Sequence, residues 1–137
     1  RDAMRDRGLE PYIMIEKGEF TEEDGRRAAL ALLRRPDRPT AIFAANDMVA
    51  LGVLSAASEL GLRVPEDLSV VGYDNTHLAS INHISLTSIE QPRRQMGRTA
   101  AALLSDRISD PRKRARIRQV PPRLVARRST GPAPSEG

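Results

Sequence analysis

The sequence predicts an α/β fold, a doubly wound sheet of mostly parallel strands, and three observations carry that prediction. Two short apolar runs, residues 40–45 and 68–73, flank a stretch, residues 48–62, whose apolar side chains recur at helical spacing. Each run ends in polar residues, Asn46-Asp47 after the first and Asp74-Asn75 after the second. Strands alternating with helices of ten or more residues form βαβ units, and right-handed crossovers then put helices against a parallel sheet. In such sheets ligands bind beyond the C-terminal strand ends. The polar groups there are amide or acidic, which suits hydroxyl-rich small molecules better than phosphates.

The elements follow in order. Residues 1–8 read as the last turns of a helix stopped by Gly8, so the chain reads as the later part of a longer protein. Residues 11–16 (PYIMIE) are apolar and β-favouring and predict a strand. Thr21 caps the next helix, with Glu22, Glu23 and Asp24 at its positive end and Pro36 past its last turn. Asn46 caps the helix that Gly61 ends. In that helix Val49, Val53, Ala56, Ala57 and Leu60 form one apolar stripe, and Met48, Leu51, Leu54 and Ser55 lie on a partly different one. Residues 77–82 predict a short helix, 86–90 a strand, and 92–108 a helix with Pro92 in its first turn. Residues 115–120 and 123–127 alternate enough for two strands around Pro121-Pro122. From Ser129 onward the chain is polar and rich in Pro and Gly, which predicts disorder.

Composition excludes several classes. The 137 residues suffice for about one domain with a real core. With no Cys and two histidines, His77 and His83, neither a disulfide framework nor a metal site is expected, and no cofactor. No apolar run nears the roughly 18 residues of a membrane span, and no secretory pattern appears. No nucleophile elbow, phosphate loop or acid/base pair stands out, so an enzyme is not expected. The net charge of +4 comes almost entirely from arginines spread over several elements, with no aromatics between them to stack on bases.

Four residues are candidates for a ligand site. Asp74 follows a strand and Gly72, and a carboxylate there can accept two hydroxyl hydrogen bonds, each worth roughly 1.5–3 kcal/mol. The plain alternative is a turn aspartate bonding its own backbone. Asn46 is a helix cap that could also donate to a ligand. Gln91 follows the strand at 86–90, and its plain alternative is an exposed loop residue. Phe20 either walls a ligand or staples the helix after it.

Several blocks carry a resemblance: PTAIFAANDMVALGVLSAASELGLRVPEDLSVVGYDN (residues 39–75), LTSIEQP (86–92), GRTAAALL (97–104) and LVARRST (124–130). Over residues 1 to about 130 the chain resembles the effector-binding region of LacI/GalR (lactose/galactose repressor) transcription regulators. The resemblance implies the C-terminal lobe of a type I periplasmic-binding-protein-like fold. Residues 1–91 would be that lobe and 92–113 a helix of the N-terminal lobe. Residues 114–129 would be closing strands and 130–137 a disordered tail. It implies effector contacts at Asn46, Asp74, Gln91 and Phe20, the effector being a sugar or related polyol. It implies homodimer contacts at Leu51, Leu54, Ser55, Ser58 and Ile81, and operator DNA read by a helix-turn-helix outside this chain, in the cytoplasm and without a membrane partner. The sequence departs from the family at His83-Ile84-Ser85, where Pro-Pro often stands. An exported sugar-binding protein of an ABC transporter shares the fold and is the alternative.

Overall fold

Ile42, Val70, Gly72 and Ser88 share one face of a four-stranded sheet, and they decide how the chain packs. A computed structural model describes residues 1–134. Its strands are β1 (Ala41–Phe43), β2 (Ser69–Tyr73), β3 (Thr87–Glu90) and β4 (Arg123–Val125), in spatial order β1-β2-β3-β4. The first three are parallel, with Ile42 opposite Val70 and Gly72 opposite Ser88, and β4 runs antiparallel to β3. The expected parallel α/β sheet is present.

Among the described residues five α-helices accompany it: α1 (Asp2–Arg5), α2 (Glu22–Leu33), α3 (Asp47–Glu59), α4 (His77–Ser80) and α5 (Arg93–Ser109). The caps read from sequence form. Thr21 Oγ1 accepts from the Asp24 N–H at 3.2 Å, and Asn46 Oδ1 accepts from the Val49 N–H at 2.7 Å. Gly61 takes φ +68° after α3, donating to the Ser58 carbonyl while Leu62 donates to that of Ala57. This left-handed stop is one that glycine adopts without penalty.

The core lies between the sheet and α2 and α3. Ala29 and Leu33 of α2 meet Ala50, Val53, Ala56 and Ala57 of α3, above Val70 and Leu86. These small side chains let the helices approach closely. A Cβ on Gly52 would sit 2.0 Å from the Glu22 carbonyl oxygen, and one on Gly25 would sit 2.3 Å from that of Val49. On the other face Phe43 and Tyr73 pack edge to face, their ring centres 6.5 Å apart.

Three expectations are corrected. Residues 11–16 form no strand: Glu10–Tyr12 is a 3-10 turn with Pro11 in it, and irregular chain follows. Proline fixes φ near −65° and lacks an N–H, which favours the turn over a ladder. Residues 115–120 form no strand either, because they gain no ladder partner and lie almost wholly in solvent. The stretch at 123–127 pairs only over Arg123–Val125.

The expected disorder from Ser129 also fails at its start. Ser129 is buried, and its Oγ accepts from the Thr87 N–H (2.8 Å) while donating to the Val70 carbonyl (2.6 Å). Its own carbonyl accepts from the Val70 N–H at 2.7 Å. Thr130 meets the Thr87 hydroxyl at 3.0 Å, and the Gly131 N–H donates to Ser69 Oγ at 3.1 Å. Polar composition gave no hint of these long-range bonds, which tie the segment to two strands. Of the expected tail, residues 135–137 lie outside the described residues.

Candidate functional site

The parallel strands end together, so the segments after β1, β2 and β3 share one edge of the sheet. Asp74 directly follows β2 and Gln91 directly follows β3. Their side chains meet, Gln91 Nε2 donating to Asp74 Oδ1 at 2.9 Å. This leaves Asp74 Oδ2 without a hydrogen bond among the described residues. Asp74 adopts φ +101° and Asn75 φ +46°, a backbone that side-chain-bearing residues rarely take. The Asp74 N–H is anchored on the Ile89 carbonyl at 2.8 Å.

Asn46 and Phe20 form a second pair. The Asn46 amide caps α3 with its oxygen and donates to the Phe20 carbonyl at 3.2 Å. The amide therefore keeps one N–H for an outside partner. The Phe20 ring is 69% exposed, so it staples no helix and stands open. Among the described residues no hydrogen bond joins the Asn46–Phe20 pair to the Asp74–Gln91 pair.

A group that sequence reading passed over connects these loops. Asp47, in the first turn of α3, is buried. Its Oδ2 accepts from the Thr76 N–H (2.6 Å) and the Thr76 hydroxyl (2.9 Å), and its Oδ1 accepts from Ser88 Oγ (2.6 Å). Ser88 Oγ in turn accepts from the Asn75 N–H at 3.1 Å. Gly72 makes the space, since a Cβ there would lie 2.5 Å from Asp47 Oδ1. What comes close to Gly72 is thus this carboxylate. The signal was two small residues, Gly72 and Ser88, opposite one another in register beneath an acidic helix start. Arg127 braces the same loop, donating to the Asn75 side-chain oxygen (2.8 Å) and the Leu86 carbonyl (2.7 Å).

Charge at the rim is paired. Glu90 lies beside Arg123 across β3 and β4, and the hydrogen bond from that guanidinium holds the Glu90 carboxyl below its ordinary range. No group of three or more His, Cys, Asp or Glu residues that could hold a metal occurs among the described residues.

A cavity of about 670 Å³ lies elsewhere, between residues 12–20 and the α2–β1 side of the core. Ile13, Ala29, Ile42, Ala44 and Val53 line it, with Phe20 at its edge. It is largely apolar and reaches neither Asp74 nor Gln91. It occupies the place where residues 11–16 run past β1 without pairing. Glu16, Lys17, Glu19 and Asp24 also line it, whereas Asn46, Asp74 and Gln91 do not.

Of the expected dimer residues, Leu51, Leu54 and Ile81 are half-buried and Ser55 and Ser58 exposed. Leu54 also packs on the core, and Ser55 Oγ lies 3.4 Å from the Glu22 carboxylate.

Comparison with known proteins assigns the family. Residues 1–130 match the model of the periplasmic binding protein-like domain. The HTH-type transcriptional repressor PurR of Escherichia coli O139:H28 is 44% identical over 124 residues, which is 90% of this chain and 36% of the repressor. The chain thus spans about a third of the length of that relative. A LacI transcriptional regulator from a Rhodococcus species superimposes with a TM-score of 0.91 at 37% identity, over 98% of this chain and 49% of that one. The transcriptional regulator CelR, in complex with cellobiose, superimposes with a TM-score of 0.86 at 37% identity, over 94% and 40%. The chain belongs to the periplasmic binding protein-like domain family, as a LacI/GalR-type effector-binding domain.

Proposed function

We propose that this chain is the effector-binding and dimerisation part of a DNA-binding transcriptional repressor, and that its effector is a sugar or related polyol. The observation that carries this reading is the Asp74–Gln91 pair at the C-terminal sheet edge, with one carboxylate oxygen left open to hydroxyl donors. Asn46 offers its remaining N–H from the adjoining strand end, and Phe20 a flat apolar wall. The cellobiose bound by CelR supports a sugar as effector, and a regulator fits the relatives better than an exported transport protein does. The role is sensing, not turnover, and its place is the cytoplasm. Ligand would favour one arrangement of the two lobes, and that choice would reach the DNA-reading heads as a population shift. Helix α5 would belong to the second lobe, a reading supported by its having no buried residue.

Asp74→Ala should weaken sugar binding tenfold or more, about 1.4 kcal/mol, with the fold intact. Calorimetry of the full repressor with its sugar checks this, and equal affinity would remove Asp74 from the site.

Dimerisation would use Leu51, Leu54, Ser55, Ser58 and Ile81. Because Leu54 also packs on the core, Leu51→Arg is the cleaner probe. It should shift dimer toward monomer in sedimentation, since a charge cannot be buried unpaired at an apolar contact. An unaltered profile would contradict that surface.

A further inference from the structure

Most of the chain's excess positive charge sits in one place. Of the 22 basic and 18 acidic residues, six and one fall within residues 107–118, which leaves sixteen and seventeen elsewhere. The six are Arg107, Arg112, Lys113, Arg114, Arg116 and Arg118, and the one is Asp110. The net charge of +4 is therefore a near-neutral body plus one strongly basic turn, not a general scatter of arginines.

Within this chain the turn is open to solvent. Residues 111–119 are all exposed, and the Arg112 side chain is 96% so. Arg116 pairs with Asp106, and Arg107 donates to the Lys113 carbonyl. Arg112 lies 3.7 Å from Asp110, a loose contact. Among the described residues Lys113, Arg114 and Arg118 make no ion pair. Helix α5 starts two residues after Gln91, and its 17 residues span about 25 Å, so the turn stands well away from the candidate effector site.

We infer that this turn binds the sugar-phosphate backbone of duplex DNA without reading its sequence. Five of the six cations are arginines, whose planar fork fits phosphate oxygens. No aromatic residue lies between residues 93 and 122, so a single strand would find nothing to stack on. Ile117 is the one large apolar side chain in residues 110–118, too little to anchor a lipid surface. The inference rests on the regulator reading only in that a regulator works beside DNA, and it requires no effector.

The test uses the 137-residue chain, a fluorescent random-sequence duplex and a series of salt concentrations, with anisotropy as readout. A triple variant, Arg112→Gln, Lys113→Gln and Arg114→Gln, should bind more weakly at low salt. Its plot of log affinity against log salt should be shallower by about 2–3, near 0.9 for each phosphate no longer neutralised. A control with the same charge loss, Arg1→Gln, Arg7→Gln and Lys17→Gln, should keep the original slope. Equal losses in both variants would reduce the effect to net charge and overturn the inference. An unchanged slope in the first variant would overturn it too, as would phosphatidylserine vesicles holding the chain as tightly as the duplex does. Sugar titrations enter neither arm, so failure here and failure of the polyol reading are separate results.

Discussion

Gly52→Ala should destabilise the protein by about 2–3 kcal/mol net, the clash outweighing the roughly 1 kcal/mol that alanine gains over glycine inside a helix. The added methyl would fall 2.0 Å from the Glu22 carbonyl oxygen and 2.5 Å from the Arg26 nitrogen. Both are backbone atoms, so no rotamer change relieves them. The helices would have to separate, and with them the packing of Ala29 and Leu33 on the apolar face of α3. Gly97→Ala in α5 is the matched control, because a Cβ there meets nothing within 4 Å. It should be neutral or slightly stabilising. Urea denaturation midpoints decide the matter. A Gly52→Ala midpoint equal to that of the parent would contradict the close crossing of α2 and α3.

Asp47→Ala should cost about 3 kcal/mol, because it strands one buried and two part-buried donors, and an unsatisfied buried donor alone costs roughly 1–3 kcal/mol. The Thr76 N–H, the Thr76 hydroxyl and Ser88 Oγ all donate to this one carboxylate. The hydroxyls can turn to other acceptors, but the Thr76 N–H cannot. Asp47→Asn keeps the shape but replaces one acceptor with a donor facing donors, so an intermediate loss is expected. Both changes should also speed amide hydrogen exchange at Asn75 and Thr76, since the loop carrying Asp74 loses its hold on α3. Unchanged exchange at those amides, together with parent-like stability, would show that the loop is held by other contacts.

The sequence made local signals legible and concealed long-range ones. Thr21, Asn46 and Gly61 were readable as helix boundaries because capping depends on neighbours three or four residues away, and each acts as expected. Residues 11–16 have strand-like composition, yet a strand exists only if another strand accepts its ladder, and Pro11 starts a turn instead. Ser129 looked like the start of a loose tail. Its burial comes from Val70 and Thr87, 59 and 42 residues away. The candidate site divides in the same way. Asp74 and Gln91 were each identifiable as strand-end residues, but their hydrogen bond across 17 residues of chain was not. Asp47 stayed hidden because an acid in a first helical turn is ordinarily an exposed partner of the helix dipole. Only the register of Gly72 with Ser88 opens the recess it fills.

The most direct test of the proposed polyol-binding edge is an amide chemical-shift titration of the protein with a panel of sugars, beginning with cellobiose. A binding sugar should move the resonances of Asp74, Asn75 and Gln91 most, with those of Asn46 and Phe20 shifting at the same midpoint. If every sugar that binds leaves these five unmoved, and shifts only the apolar cavity beside β1 or the outer faces of the helices, then the open carboxylate oxygen of Asp74 receives no hydroxyl and the account of this edge is wrong.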